Sequence, residues 1–141
     1  MIKTNGGFLI TQIKQIQGRV FDRMLSEAGI DEFNGAQGRI LYVFWQEDNL
    51  PIAELSKRTG LAKNTLTAML DRMEDAGHIS RAPDVIDRRQ IRITLTASAR
   101  KLEQKYNQVS DQMVAQFYSG FSDDEIIAFE DNLKRILRNL E

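Results

Sequence analysis

The 141-residue sequence contains no cysteine, a single histidine, a single tryptophan and two prolines. Without cysteine no thiol sensor, thiolate zinc site or iron–sulfur cluster can be built, and one histidine leaves a single chain without a histidine-rich metal site. There is also no glycine-rich phosphate loop, no metal-ligand spacing, and no choice of His–carboxylate pairs. The chain is therefore expected to be neither an enzyme nor a holder of metal or cofactor. The lone His78, beside Gly77 at the start of a strand, reads as a surface or strand-end residue. No apolar run approaches a membrane span, and Met1 to Ile10 lacks the basic start and long apolar centre of a signal peptide, so a cytoplasmic protein with no membrane partner is expected.

Large net charge is also missing. The formal charge is −1, with 42% hydrophobic and 28% charged residues, which suits a globular chain with one ordinary core. Local counting changes the picture. Lys57 to Arg92 holds eight Lys/Arg (57, 58, 63, 72, 81, 88, 89, 92) against five Asp/Glu (71, 74, 75, 84, 87), a local +3 that leaves −4 elsewhere. A basic patch on an acidic body is an electrostatic footprint for nucleic acid, although taken alone it describes a solvated surface equally well.

Within that patch, Leu61 to Gly77 reads as a helix. Leu66, Met69, Leu70 and Met73 fall at i, i+3, i+4 and i+7 and should face a core. Lys63, Asn64, Thr65, Thr67 and Arg72 occupy the other faces, with small hydrogen-bonding and cationic groups gathered at the N-terminal half. Ile52 to Arg58 is a shorter helix with Ile52 and Leu55 inward, and Thr59-Gly60-Leu61 is the tight turn between the two: a helix-turn-helix. Gly77 closes the second helix. His78 to Arg81 and Gln90 to Leu95 then alternate apolar and polar residues as two half-buried strands. The stretch between them, Ala82 to Arg89, carries a proline, two aspartates and Arg88-Arg89. A basic-tipped hairpin after a helix-turn-helix defines a winged helix.

These residues carry a family resemblance. Asp87-Arg88-Arg89, five residues, then Leu95-Thr96 resembles the Asp-x-Arg-x5-Leu-Thr wing motif of MarR-type (multiple antibiotic resistance regulator) transcription factors. Phe33-Asn34-x-x-Gln37-x-x-Ile40-Leu41, Glu54-Leu55, and Leu70-x-x-Met73-x-x-x-Gly77-x-Ile79-x-Arg81 match in order upstream. Two positions depart from the pattern: Ala62 stands where a serine cap is common, and Ala68 where a basic residue is frequent. Lack of cysteine and of histidine clusters sets the chain apart from the peroxide-sensing and zinc-sensing branches of that family.

The flanks fit the resemblance. Gly7 to Ala28 reads as a helix with Leu9, Ile13, Ile16, Val20 and Met24 on one stripe and Ile10, Phe21 and Leu25 on a second, wider than one small winged helix can cover. Asn34 is placed to cap Gly35 to Gln46, with Ile40, Leu41, Phe44 and Trp45 inward, and Pro51 suits the first turn of the next helix. Thr96 is placed to cap one long helix to about Ser119, with Leu102, Tyr106, Val109, Met113 and Phe117 on one face, ended by Gly120. Ser122 to Glu125 is a capping box for a last helix with Ile126, Phe129, Leu133, Ile136 and Leu140 in near-heptad spacing. By resemblance, residues 1–33 and 97–141 are dimerisation helices and 34–96 the DNA-binding part of a single mainly α domain with a small β-hairpin wing.

The resemblance implies a homodimeric, sequence-specific regulator of transcription, usually a repressor, bound to double-stranded DNA. It assigns Lys63, Asn64, Thr65, Thr67 and Arg72 of the recognition helix and Asp87, Arg88 and Arg89 of the wing to DNA. Lys63 and Arg72 suit phosphates, while Asn64 and Thr67 suit base edges. It also implies a small anionic or aromatic effector between the dimerisation and DNA-binding parts, for which Arg19, Arg39, Tyr42 and Trp45 are candidate cations and aromatic walls. A winged-helix module that binds protein rather than specific DNA is the alternative, and it would have no need of Arg88 and Arg89.

Overall fold

The computed structural model describes all residues from Met1 to Glu141. In chain order they form α1 (Gly6–Glu27), α2 (Gly35–Gln46), β1 (Leu50–Pro51), α3 (Ile52–Thr59), α4 (Lys63–Asp75), β2 (Ile79–Pro83), β3 (Ile91–Leu95), α5 (Ala97–Arg100), α6 (Glu103–Phe117) and α7 (Asp123–Leu140). Two units divide the chain, Met1–Val109 and Ser110–Glu141, with the division falling inside α6. No helix is long and apolar enough to cross a membrane.

The core of the first unit follows from the helical spacing. Ile40, Leu41 and Phe44 of α2, Leu55 of α3, and Leu66, Leu70 and Met73 of α4 are all buried, with Ile79, Ile93 and Leu95 from the strands. An aromatic cluster fills the space between α1, α2 and α6: Tyr106 lies 5.7 Å from Phe21, 6.1 Å from Phe33 and 5.1 Å from Trp45 between ring centres. Gly38 is required there, since a Cβ would stand 2.9 Å from the Tyr106 ring and 3.2 Å from that of Phe33. Asn34 caps α2 as expected, in a reciprocal box with Gln37. Asp22 adds a second acceptor at this end, taking the Gly35 N–H at 2.7 Å.

Four expectations need correction. The wing hairpin has a third strand: β1 pairs with β3 through Leu50↔Ile93 and Pro51↔Arg92, giving the antiparallel order β1-β3-β2. Two residues cannot show a period, and Pro51 sits just before α3, at its N-cap, rather than inside the first turn. The long helix expected from Thr96 to Ser119 is broken. Thr96 does cap, but what it caps is the four-residue α5, and α6 starts only at Glu103. The Ala99 carbonyl explains the break: it accepts from Trp45 Nε1 at 3.1 Å and from the Leu102 N–H at 3.1 Å, so it is drawn away from continuing the α ladder. Finally, His78 is buried, not a surface residue, and its Nε2 lies 2.6 Å from the Glu32 carbonyl, tying the start of β2 to the segment before α2.

In α1 only Phe21 and Leu25 are buried. Val20 and Met24 are half-buried, while Phe8, Leu9, Ile10, Ile13 and Ile16 are exposed.

In the second unit, Ser122 and Glu125 form the expected capping box of α7. Tyr118 packs edge-on to Phe121 and Phe129 and donates to Glu130 at 2.6 Å. Burial, and secondarily this bond, push its phenol up to about 12. No residue of α7 is buried, and Ile127, Ile136, Leu137 and Leu140 stand exposed.

Candidate nucleic-acid interface

The helix-turn-helix is held by short-range hydrogen bonds that its turn residues supply. Gly60 takes the left-handed conformation at φ 73°, closing α3 without the Cβ clash another residue would suffer. Thr59 Oγ1 donates to the Leu55 carbonyl at 2.8 Å and accepts the Leu61 N–H at 3.2 Å. Ser56 Oγ donates to the Leu61 carbonyl at 2.6 Å. With the turn so fixed, the buried face of α4 (Leu66, Leu70, Met73) sets its roll. Lys63, Asn64, Thr65, Thr67 and Arg72 are then all exposed.

Ala62 is the N-cap of α4 and offers no side-chain acceptor. The N–H groups of Lys63, Asn64 and Thr65 precede the first helical bond, from Leu66 to the Ala62 carbonyl, and remain available to an anion. Ala62→Ser should restore a cap and raise stability by about 1 kcal/mol in a denaturant melt. No gain would mean that the backbone there does not present a serine hydroxyl to α4. Thr67 Oγ1 donates to the Lys63 carbonyl at 2.9 Å, which leaves the oxygen lone pairs and the methyl group free on the exposed face.

Ion pairing sorts the basic patch. Arg58 is bonded to Glu47 and Glu54, and Arg92 to Asp84. Arg81 is bonded to Asp71 at 2.7 Å and Glu74 at 2.8 Å, pinning β2 to α4. Its hydrogen bonds hold the Glu74 carboxyl below the usual range. These three arginines are structural cations. Lys57, Lys63, Arg72 and Arg88 are in no ion pair with a carboxylate, and they form the available positive surface together with Arg89.

At the wing, Asp87 Oδ1 accepts the Arg89 N–H at 3.1 Å and Arg89 Nε at 3.1 Å, while Asp87 Oδ2 accepts Arg89 Nη2 at 3.3 Å. Bonding to Arg89 lowers the Asp87 carboxyl below its ordinary value. The Arg89 side chain is nonetheless 91% exposed. It is a guanidinium presented to solvent on a fixed bearing rather than one consumed in the fold.

Asp84 and Arg92 are the residues that sequence reasoning missed. The Asp84 carboxylate accepts the N–H groups of Ile86 at 2.7 Å and Asp87 at 3.0 Å, and also Arg92 Nε. Arg92 Nη1 reaches across to the Asn49 carbonyl at 2.8 Å, fastening the tip to the loop before β1. The Arg92 bond, followed by the two backbone donors, lowers the Asp84 carboxyl to about 2. An aspartate two residues before a pair of turn amides was a readable sign of such a turn. Its arginine partner, eight residues on, was not.

Asp84 has a folded-state pKa near 2 against 3.8 for its ordinary value, so its contribution is complete above about pH 4 and is lost as pH falls toward 2. Amide exchange at Ile86 and Asp87 should accelerate selectively over that window, and Asp84→Asn should reproduce the effect at neutral pH. Equal protection in the variant and the parent at pH 7 would contradict the assignment.

Among the candidate effector contacts, Arg19 and Arg39 line a cavity of about 250 Å³ between α1 and α2, with Lys14. Arg39 and Tyr42 line a larger one of about 470 Å³ with Lys14, Val43, Arg58 and Met69. Trp45 lines neither. Its indole N–H is spent on Ala99 and its ring on Tyr106 and Phe33, so this half-buried side chain packs within the fold rather than lining a cavity wall.

A helix-turn-helix followed by a β-hairpin wing, with exposed polar and cationic side chains on the second helix and the tip, defines a winged-helix protein. Residues 33–91 match the family model of the MarR family. The segment from Phe33 to Ile91 is thus that of the MarR family. It is 34% identical over 116 residues to the HTH-type transcriptional regulator TtmR of Methylorubrum extorquens, covering 82% of this chain and 57% of that one. The chain thus spans little more than half the length of that curated relative. The structure of a mutant MarR from Escherichia coli complexed with operator DNA superposes with a TM-score of 0.82 at 26% identity, covering 93% of this chain and 92% of that one. A MarR transcriptional regulator from Methanosarcina mazei shares the fold with a TM-score of 0.82 at 22% identity, over 97% and 96% of the two chains.

Proposed function

We propose that the protein is a sequence-specific DNA-binding regulator of transcription, a repressor acting as a homodimer in the cytoplasm. Residues 1–33 and 97–141 would supply the dimer and 34–96 would read the operator. The observation that carries this reading is the pairing of an exposed, preoriented Arg89 at the wing with an α4 whose exposed N-terminal half presents Lys63, Asn64, Thr65 and Thr67 with no carboxylate among them. The resemblance to a relative solved with operator DNA supports it. Two copies of α4 would enter successive major grooves about one helical turn apart, roughly 10 bp, with the wings on the flanking minor grooves. Fluorescence anisotropy on its own upstream DNA against random duplex tests this, and equal affinity for both would favour a module without sequence-specific binding.

Within that reading Lys63 and Arg72 meet phosphates, and Asn64 and Thr67 meet base edges. Lys63→Ala and Arg72→Ala should each weaken binding to all sequences and reduce the salt slope by about one. Asn64→Ala should cost roughly 1–3 kcal/mol, and only at the contacted base pair. Equal losses for Asn64→Ala on operator and random DNA would remove it from that role.

The cavity lined by Lys14, Arg39 and Tyr42 suits a small anionic or aromatic effector, since it joins two cations to an apolar wall of Ile40, Val43 and Met69. It touches both the turn before α4, at Gly60 and Leu61, and α4 itself at Met69. Occupancy would therefore bias the seating of the recognition helix.

A further inference from the structure

Two side chains on the wing belong neither to the core nor to the ion pairs. Val85 and Ile86 are each 96% exposed, more than any other large apolar residue but the terminal Met1. They are not on a loose loop, because Asp84 accepts the backbone N–H groups of Ile86 and Asp87 and is itself held by Arg92. Both are β-branched, with few rotamers to lose. Exposure of this kind does nothing for the isolated chain and disfavours its solubility. The pair is therefore presented to something outside the fold.

We propose that Val85 and Ile86 form an apolar finger that lies against the deoxyribose walls of the minor groove beside Arg89, making the wing select A·T pairs in the operator flank. This rests on the DNA-binding reading above and adds a specificity determinant to it. Charge decides the occupant. The finger is followed directly by Asp87 and then by Arg88 and the outward-facing Arg89, so a surface that covers it must also take two guanidinium groups. An apolar protein patch would desolvate them at a cost, whereas the minor groove sets phosphates beside apolar sugar C–H groups. Selectivity follows from the groove floor. A·T pairs present only acceptors there, which Arg89 can serve, while G·C adds the guanine 2-amino donor. Neither Val85 nor Ile86 has an acceptor for that donor, so covering it leaves it unpaired.

The test uses the full chain and duplexes selected from a random library by the wild-type protein, resynthesised with A·T, G·C or inosine·C flanks. Inosine·C keeps the G·C major groove but lacks the 2-amino group. Wild type should bind A·T and inosine·C flanks about tenfold more tightly than G·C, the scale of one unpaired donor. The Val85→Ser/Ile86→Ser variant should lose most of that preference with an unchanged salt slope, because no cation has been removed. The Val85→Leu/Ile86→Leu variant should retain it. Because both positions are exposed, melting should be unaltered in either variant. A serine variant with wild-type preference, or one weakened equally on every flank, would overturn the proposal while leaving DNA binding in place. A wild-type chain that enriches no duplex at all would overturn the DNA-binding reading itself.

Discussion

Arg89→Ala is expected to abolish tight operator binding while fold and dimer stay intact. Arg89 contributes nothing to the core and its side chain is 91% exposed, so its removal leaves no cavity. On the proposed reading, what is lost is a cation directed at the narrow minor groove, where the negative potential is enhanced. Loss of one such contact costs roughly 1–3 kcal/mol at each wing, and the two wings of a dimer compound the loss. The companion result discriminates more sharply. A long side chain on a hairpin tip gives up rotamer freedom on entering a groove, and the three hydrogen bonds from Arg89 to Asp87 reduce that cost by holding the guanidinium beforehand. Asp87→Ala should accordingly weaken binding several-fold, although it removes a negative charge that repels DNA. Tighter binding by Asp87→Ala, measured by anisotropy at fixed salt, would show the aspartate to be a repulsive bystander.

The second large effect concerns assembly. Residues Phe8, Leu9, Ile10, Ile13 and Ile16 expose an apolar stripe along α1, and Ile136, Leu137 and Leu140 expose another along α7. Surfaces of this kind on a folded chain indicate a partner, and the closed symmetry of a homodimer would bury each residue twice. Deleting Met1 to Ala28 should yield an aggregating or unfolded chain, because it strips the partner face and also removes Phe21, Leu25 and Asp22 from the packing around α2. A milder variant separates those causes. Ile13→Asp leaves Phe21 and Leu25 in place and should give a folded chain with the mass of one copy and weak operator affinity. Full burial of an isoleucine contributes about 1.5–3 kcal/mol, and the aspartate replacing it would be a charge buried in each half of the interface. Light scattering that finds the parent protein itself a stable monomer with full affinity would refute the dimer.

The recognition helix was legible in the sequence because one apolar face of period 3.6, Leu66 to Met73, settles both its extent and its roll, and the exposed set follows by subtraction. The caps at Asn34 and Ser122 were legible for a similar reason: both are local and reciprocal over three residues. What escaped was set by contacts between residues distant in sequence. The two-residue strand at Leu50 exists because β3 offers it a partner more than forty residues later. The break after Arg100 exists because Trp45, fifty-four residues earlier, takes the Ala99 carbonyl. A place beside Gly77 at a strand start reads as exposed, but the His78 ring finds its partner in the carbonyl of Glu32, forty-six residues earlier. At the wing the two-residue spacing of Asp87 and Arg89 lets them share one side of the turn and pair locally, whereas the Arg92 that braces Asp84 is brought to it by the hairpin.

Hydroxyl-radical footprinting of the protein on its upstream DNA tests the central claim most directly, since it reports symmetry and groove together. Protection with two-fold symmetry is expected, its halves centred about one helical turn apart, with outer minor-groove protections that disappear in Arg89→Ala while the inner ones persist at saturating protein. Uniform protection along the duplex, or outer protections that survive in Arg89→Ala, would contradict it.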